Sequence, residues 1–334
     1  MILNDLLERL QRLGPLPLGH LPTPLEPLPR LAKALNGPEL WVKRDDQTGL
    51  ATGGNKVRKL TFLMADALRQ NADLVMTTGA QQSNHARQTA AAAARLGLPC
   101  VLALHGEAPV AVPQGNYLLD ELLGAEVRWI GNRPGMAALE AEAEALRQAG
   151  RCPYVVPYGG SNPVGVCGYV AAMAELWQQM LAQDLRFDAM VVASSSGGTQ
   201  AGLALGARLL GYTGRIVGIS IAESAEPFRA RIAELANGTA ALLDLRAVFT
   251  PEDITVTDAY LGGGYGVVGD LEREAIALAG HTEGLLVDPV YTGRALGGLI
   301  DLIRNEEFLP GERVLFWHTG GIPALFAYAE AITR

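Results

Sequence analysis

From residue 55 onward, short apolar runs alternate with segments of helical periodicity, and this alternation is the strongest constraint on the fold. The strand-like runs are 74–77, 100–104, 126–130, 154–156, 189–193, 216–221 and 314–317, after an earlier strand near Leu40. The clearest helical segments are 85–96, 136–149, 164–182 and 199–210. Such alternation predicts βαβ units with right-handed crossovers and parallel sheets. The sequence therefore predicts an α/β protein.

The N-terminal part and the chain length add to this expectation. A short amphipathic helix is predicted over 2–12, and the proline-rich stretch 14–38 favours an extended segment that wraps around the surface. At roughly one domain per 150 residues, a chain of 334 residues suggests two domains. The turn 157–163 is the best candidate for a boundary between them.

Composition argues against several classes of protein. Lys+Arg 27 against Asp+Glu 35 gives a net charge of −8 without a basic stripe, so no nucleic-acid partner is expected. No apolar run approaches the ~18 residues of a membrane span, and the acidic first residues are unlike a signal peptide. We therefore expect a cytoplasmic protein without a membrane partner. His and Cys residues lack metal-site spacing, so no metal is expected, and Cys100, Cys152 and Cys167 are predicted to be buried free thiols.

The turn 52–60 leads into a helix that carries three cations in its first turn, Lys56, Arg58 and Lys59, and no acid before Asp66. Positive charge at a helix N-terminus opposes the helix dipole. Either an anion lies nearby, or one lysine is not a free ammonium. A lysine that forms an imine with an aldehyde cofactor bearing a phosphate would satisfy both conditions. The alternative is a solvated basic turn.

The turn 79–89 follows a predicted strand and places four polar side chains in a row over 81–84. It lies at the strand-to-helix edge, where open parallel sheets bind ligands. Ser83 or Asn84 could serve only as a helix N-cap. Capping explains one of the four residues, so we favour a functional role.

The turn 191–202 is a buried strand that breaks into a Ser/Gly loop and then a helix. Small residues let backbone N–H groups crowd around an anion, and the hydroxyls of Ser196 and Thr199 can donate further hydrogen bonds. The loop matches neither GxGxxG nor GxxxxGK[ST], which disfavours dinucleotides and Walker-type nucleotides. A phosphate fits, although a tight turn without a ligand is the alternative.

Glycine makes up 39 of the 334 residues, above the usual ~7%, and the informative glycines fall at these turns and at three more. The further turns are 262–266 with Tyr265, 288–293 with Tyr291 and Thr292, and 318–321 with Thr319. Each of these is a weak signal when taken alone. Together, small residues at strand–helix turns would admit a phosphate and a planar ring close to the backbone.

Five motifs occur in the order GGNKxRKL, QSNHxRQT, SxGTxAGL, LxDPVYTGxA and HTGG. They resemble the pyridoxal-phosphate enzymes of fold type II, the tryptophan synthase β-like superfamily. Within it, the chain is most similar to the D-cysteine desulfhydrase and 1-aminocyclopropane-1-carboxylate deaminase family, and the likeness runs from about residue 22 to residue 327.

The resemblance implies an architecture and a cofactor. The fold would consist of two three-layer αβα domains with open, mostly parallel twisted sheets, and pyridoxal 5'-phosphate would lie between them. The large domain would comprise 1–51 and 161–334, and the small inserted domain 52–160. A homodimer and a small amino-acid substrate are also implied.

The resemblance further implies roles for individual residues. Lys56 would be the Schiff-base lysine, and either freed Lys56 or a Ser83/Tyr291 pair would remove the substrate's α-proton. The cofactor would be held by Asn84 at its ring hydroxyl, by Ser196, Gly197, Gly198 and Thr199 at its phosphate, and by Thr292 and Thr319 beside its ring. Substrate contacts would come from Gln82, Ser83, Asn84, Tyr265 and Tyr291.

The substrate expectation depends on Thr292 and Thr319, since the deaminase branch usually has Glu and Leu at these positions. A hydroxyl near the pyridine nitrogen can only hydrogen-bond it, whereas a carboxylate keeps it protonated and makes a stronger electron sink. Opening a cyclopropane requires that sink more than expelling a good leaving group does. D-Cysteine is the leading substrate, followed by L-cysteate and then the cyclopropane amino acid.

Three positions depart from the family pattern: Ser195 for a frequent Gly, Thr61 for a frequent Glu, and Trp317 for a smaller apolar residue. Ser195 raises the question of whether the phosphate loop needs a positive φ at that position. Two readings from other classes also stay open. A regulator that binds a nucleotide phosphate would use the same Ser/Gly loop without Lys56, and an inactive relative would keep only the fold.

Overall fold

The computed structural model describes residues 3–333, which form an alternating series of strands and helices. The strands are β1 Leu25–Pro27, β2 Glu39–Arg44, β3 Leu74–Gly79, β4 Cys100–Leu104, β5 Glu126–Trp129, β6 Pro153–Val155, β7 Ala189–Ser194, β8 Arg215–Ser220, β9 Thr255–Thr257 and β10 Arg313–His318. The helices are α1 Leu3–Gln11, α2 Pro29–Leu35, α3 Lys56–Arg69, α4 Asn84–Arg95, α5 Gly115–Leu122, α6 Gly135–Gln148, α7 Pro163–Gln183, α8 Gly198–Leu210, α9 Ala225–Leu242, α10 Asp270–Glu283, α11 Thr292–Arg304, α12 Pro323–Ala327 and α13 Ala329–Thr333.

The larger sheet has the strand order β1-β2-β10-β7-β8-β9. Only β1 is antiparallel to its neighbour, and the other pairs are parallel. Successive residues of β7 point to opposite faces of the sheet. Val191 belongs to a core shared with α10 and α11, whereas Met190 and Val192 belong to a core shared with α7 and α8. Helices therefore cover both faces, as the sequence predicts for an αβα architecture.

The smaller sheet has the order β5-β4-β3-β6, and all of its pairs are parallel. One face packs against α3 and α4, and the other packs against α6. Its strands all lie between β2 and β7 in the chain. The exact limits of the inserted domain, 52 and 160, stay a prediction.

Some elements differ from the sequence-based expectation. The prediction that 14–38 is extended is wrong for Pro29–Leu35, which forms α2 with its proline at the helix start, where no N–H is needed. The stretch also contains β1 at the edge of the larger sheet, where Pro27 is tolerated because an edge strand leaves N–H positions unpaired. The predicted first helix is Leu3–Gln11, and residue 2 lies outside the described residues. The prediction of three buried thiols is wrong for Cys152, which lies exposed in the short link between α6 and β6, although Cys100 and Cys167 are buried.

A buried polar cluster ties the start of α3 to α7 and to the larger sheet. The Asp45 carboxylate, fully buried at the end of β2, accepts hydrogen bonds from Arg58 Nε (2.9 Å) and Nη2 (2.8 Å). Tyr169 OH (2.5 Å) and Trp317 Nε1 (2.8 Å) donate to the same carboxylate. Burial alone would raise the pKa of Asp45, but the Arg58 guanidinium holds it below its ordinary value. The unusual Trp317 therefore serves as a hydrogen-bond donor to a buried anion.

Arg58 also pairs with Glu175 of α7, at 2.9 Å, so two carboxylates of the protein itself neutralise this cation. Glu175 in turn accepts a hydrogen bond from the buried Lys43 ammonium at 2.5 Å. Of the three cations at the start of α3, Arg58 thus stabilises the core of the fold.

No helix within the described residues combines the length and apolar character that a bilayer crossing requires.

We predict that Asp45→Asn destabilises the protein by about 3–5 kcal/mol, because it leaves Arg58 buried with only one carboxylate partner. Urea denaturation of the two proteins measures the difference in free energy of unfolding. Asp270→Asn is the matched control, since Asp270 forms an exposed ion pair with Arg273 and its loss has a much smaller effect. Equal effects of the two substitutions would contradict a structural role for Asp45.

Candidate active site

A small, partly open cleft lies where strands of both sheets end and helices begin. Carboxyl ends of parallel strands are the usual ligand-binding edge of such sheets. Of the residues singled out from the sequence, the cleft is lined by Lys56, Ser83, Asn84, Ser196, Gly197, Thr199, Tyr291 and Thr319. The other predicted site residues do not belong to this lining: Gln82, Gly198, Tyr265 and Thr292.

Lys56 is the first residue of α3, and its side chain lines the cleft. Its Nζ donates to Asn55 Oδ1 at 3.0 Å and forms no ion pair with a carboxylate of the described residues. Burial lowers the pKa of Lys56 to about 8, with Asp288 opposing and Arg87 assisting the shift. A sizeable neutral fraction therefore exists near neutral pH, which makes Lys56 a nucleophilic amine.

The Ser/Gly loop between β7 and α8 forms one wall of the cleft. Its left-handed position is Gly197, with φ 87°, and Ser195 has no positive φ, so serine is compatible with the loop. Gly198 is needed for close approach, because a Cβ there would lie 2.5 Å from Ser161 Oγ. Ser161 Oγ lies 2.7 Å from Ser196 Oγ. The loop thus presents hydroxyls and the N-terminus of α8 to the cleft, as an anion site requires.

Lys59 lies directly beside this loop and is buried. Its Nζ donates to Gly159 O and to Ser161 Oγ, both at 3.0 Å, and it has no carboxylate partner among residues 3–333. Burial, together with the nearby Lys56, lowers the pKa of Lys59 well below its ordinary value. The sequence identified Lys59 as one of three cations but assigned it no role. Its spacing of three residues from Lys56, on the same helix face, is the signal that could have done so.

Ser83 and Asn84 begin α4. Ser83 is the N-cap, and its Oγ accepts from Ala86 N at 3.1 Å while the residue lines the cleft, so capping and a role at the site coexist. Asn84 Oδ1 accepts from Asn116 Nδ2 at 3.0 Å. The Asn84 amide NH₂ has no partner within residues 3–333, so a donor is left over beside the cleft.

Three tyrosines stand near the cleft. The hydroxyls of Tyr265 and Tyr291 are 2.6 Å apart, and only Tyr291 lines the cleft. Burial and the neighbouring Tyr265 hydroxyl raise the pKa of Tyr291 well above its ordinary value, so the pair stays protonated at neutral pH. Tyr158, which the sequence placed only in a boundary turn, also lines the cleft beside the Ser195 hydroxyl.

Other predicted site residues have partners within the protein. Thr292 Oγ1 donates to Asp288 Oδ1 and accepts from Asp288 N, both at 2.7 Å, so this hydroxyl is engaged in its own turn. Gln82 accepts from Asn116 N at 2.8 Å and donates to Gln114 O at 3.0 Å. The Thr319 side chain forms no such bond in the described part of the chain and lines the cleft.

The groups at the cleft that lack a matching partner within the protein fit pyridoxal phosphate. A nucleophilic amine matches an aldehyde, and a Ser/Gly loop beside a buried lysine without a carboxylate partner matches a phosphate. An unpartnered amide NH₂ matches a ring oxygen. Within residues 3–333, no group of three or more His, Cys, Asp or Glu side chains is arranged to hold a metal ion.

Comparisons with known proteins agree with this chemistry. Residues 16–320 match the family described as pyridoxal-phosphate dependent enzyme. The chain is 44% identical over 329 residues to the D-cysteine desulfhydrase of Salmonella choleraesuis, covering 96% of this chain and 98% of that protein. It is 42% identical over 331 residues to the 1-aminocyclopropane-1-carboxylate deaminase of Burkholderia ambifaria, with the same coverage.

A solved structure of an ACC deaminase homologue superimposes with a TM-score of 0.89 at 39% identity, covering 97% of this chain and 98% of that one. The fold type II architecture that the motifs imply is therefore confirmed, and so is the cofactor class. The chain belongs to the family of pyridoxal-phosphate dependent enzymes.

Proposed function

We propose that this chain, a pyridoxal-phosphate dependent lyase by its family, acts on D-cysteine. With one water molecule, D-cysteine would yield pyruvate, hydrogen sulfide and ammonia. The S. choleraesuis relative bears the name D-cysteine desulfhydrase, while the B. ambifaria relative bears the deaminase name, so identity alone does not choose between them.

One observation favours elimination of a good leaving group over opening of a cyclopropane ring. No carboxylate side chain lines the cleft among the described residues. Asp288 lies nearby, but its oxygens accept from Val290 N, Tyr291 N and Thr292 N at 2.8–3.0 Å. The lining group that would contact the pyridine nitrogen is therefore not a carboxylate, and it would not keep that nitrogen protonated. A weaker electron sink suits the loss of a thiolate.

The groups that would hold the cofactor divide by its parts. The Lys56 amine would hold the aldehyde carbon, and the Asn84 amide and Thr319 hydroxyl would meet the ring. Ser196, Gly197, Gly198, Thr199 and Lys59 would hold the phosphate. When bound, pyridoxal phosphate supplies a carbonyl that takes up the substrate amine and a ring that withdraws electrons from the α-carbon.

The residues of the chain then account for substrate placement and proton transfer. The N-terminus of α4, with the Ser83 hydroxyl, is suited to bind the substrate carboxylate. The neutral Lys56 amine is a base able to accept the α-proton, since its lowered pKa lies near neutral pH. The protonated Tyr291–Tyr265 pair can donate a proton to the departing sulfur, because its hydroxyls remain undissociated.

We predict that pyruvate forms faster from D-cysteine than from L-cysteate or 1-aminocyclopropane-1-carboxylate at equal concentration. The measurement is the initial rate of pyruvate production by the purified holoenzyme. Lys56→Ala is the control and should abolish all three rates. Turnover of the cyclopropane compound alone would refute the argument from the missing carboxylate, and turnover of L-cysteate alone would make sulfite the released product.

We predict that the protein without cofactor captures pyridoxal phosphate with a rate that rises with pH and is half-maximal near pH 8. The sign follows from the neutral amine, whose fraction increases as pH rises through the lowered pKa of Lys56, about 8. Growth of visible absorbance after mixing measures the capture. A free lysine side chain, with a pKa of about 10.4, is the reference reaction. A midpoint close to that of the free amine would show that Lys56 is not desolvated.

Lys59→Met should weaken the binding of pyridoxal phosphate by about 10- to 100-fold, the worth of one charge-assisted hydrogen bond. Because Lys59 would face the phosphate, the binding of pyridoxal, which lacks that group, should change little. Equilibrium dialysis with both compounds provides the comparison. Lys33→Met, at an exposed position, is the matched control. Equal weakening for the two compounds would remove Lys59 from the phosphate site.

A further inference from the structure

A buried polar layer behind Asn84 has no part in the chemistry described so far. It consists of Arg87 on α4 and Asn116 on α5, both fully buried. Arg87 Nη1 donates to Asn116 Oδ1 at 2.7 Å, and Arg87 Nη2 donates to Gly53 O at 2.9 Å. The layer therefore connects α5 and the turn before Lys56 to the start of α4.

This layer determines how the Asn84 amide is oriented. Asn116 Nδ2 donates to Asn84 Oδ1 and to Gln82 O, both at 3.0 Å, while its Oδ1 accepts from Arg87. A reversed Asn116 amide would place its NH₂ against the Arg87 guanidinium, which is donor against donor. With Asn116 fixed, Asn84 must keep its oxygen toward Asn116. Its NH₂ group is thereby left for the cleft.

The Arg87 guanidinium also places a positive charge behind Asn84. Its hydrogen-bond acceptors are the amide oxygens of Asn116 and, at 3.5 Å, of Asn84, together with the Gly53 carbonyl. No carboxylate of residues 3–333 accepts a hydrogen bond from it. Its Nε is buried and has no hydrogen-bond partner. A buried cation without an anion is costly unless a ligand supplies the negative charge.

Asp120, one turn after Asn116 on α5, is the carboxyl group that could compensate Arg87. Both of its oxygens are buried without a hydrogen-bond partner. Burial raises the pKa of Asp120 to about 8, which leaves it mainly protonated at neutral pH. Burial lowers the pKa of Arg87 only to about 10, so Arg87 remains charged. The layer therefore carries a net positive charge behind Asn84.

We propose that Arg87 and Asn116 are positioning residues that hold the Asn84 NH₂ group toward the cofactor's ring oxygen, and that the Arg87 charge favours the ionised form of that oxygen. This proposal rests on the function proposed above, in particular on the assignment of Asn84 to the ring oxygen. It adds a reason for the burial of an arginine that contacts no carboxylate.

The test is the absorption spectrum and the cofactor affinity of purified variants. An ionised ring oxygen shifts the absorbance of the bound cofactor to longer wavelength, so the ratio of visible to near-ultraviolet absorbance reports its ionisation. Arg87→Met should lower this ratio and weaken cofactor binding by about 10- to 100-fold. Asn116→Ala should lower the ratio less and weaken binding by about 10-fold.

Arg87→Lys separates charge from geometry, because it keeps the cation and loses the planar fork. It should retain most of the visible absorbance while binding the cofactor more weakly. Asp120→Asn is the matched control on the same helix: it replaces a mainly protonated acid by a neutral isostere and should leave the ratio unchanged at pH 7. Circular dichroism and thermal denaturation establish that each variant is folded.

The outcomes are distinguishable. If Asn84→Ala lowers the ratio but Arg87→Met and Asn116→Ala do not, the positioning role is wrong and the assignment of Asn84 stands. If Asn84→Ala itself leaves the ratio unchanged, the assignment in the proposed function is wrong. Should Arg87→Met fail to fold, Arg87→Lys and Asn116→Ala decide: an unchanged affinity in both would overturn the proposal.

Discussion

The buried positive charge around the cleft, which no lining carboxylate neutralises, is the constraint on which the rest of the site depends. Three basic residues of α3 and α4 lie at or near the cleft: Lys56, Lys59 and Arg87. None of them forms an ion pair with an acid of the described chain. Several helices also begin at this cleft, and their dipoles add positive potential. Such an arrangement is unfavourable in an empty protein. An anionic cofactor with a phosphate and an ionisable ring oxygen removes the conflict.

Burial and one neighbouring cation explain the properties of the reactive lysine. Desolvation and, to a smaller extent, Arg87 disfavour the ammonium form of Lys56, and Asp288 opposes them. Asp288 is held by backbone N–H groups of its own turn, so its charge cannot move closer to Lys56. The lowered pKa thus follows from the fixed architecture around Lys56, and not from a specific proton-accepting partner.

Much of the fold and part of the candidate site could be predicted from the sequence, because the features that form them are local. Strands β3, β4, β7, β8 and β10 follow from apolar runs, and the Ser/Gly loop follows from its small residues. Pairings between distant positions could not be predicted. Trp317 donates to Asp45 across 272 positions, and Gln82 contacts the backbone of Gln114 and Asn116. These contacts depend on how the elements pack, and no single window of sequence contains both partners.

The start of α3 shows how one helix serves both the core and the site. At 3.6 residues per turn, Lys59 lies nearly above Lys56, whereas Arg58 is rotated by roughly 200° from Lys56. Arg58 accordingly points to Asp45 and Glu175. On the other side, Lys56 lines the cleft, and Lys59 reaches Gly159 and Ser161 beside it. The ion pairs on one face hold the helix against α7 and the end of β2. That anchoring keeps the two lysines of the opposite face in place. Helical periodicity therefore divides the three basic residues at the start of α3 between two roles: Arg58 fixes the helix, and Lys56 and Lys59 face the site proposed for the cofactor.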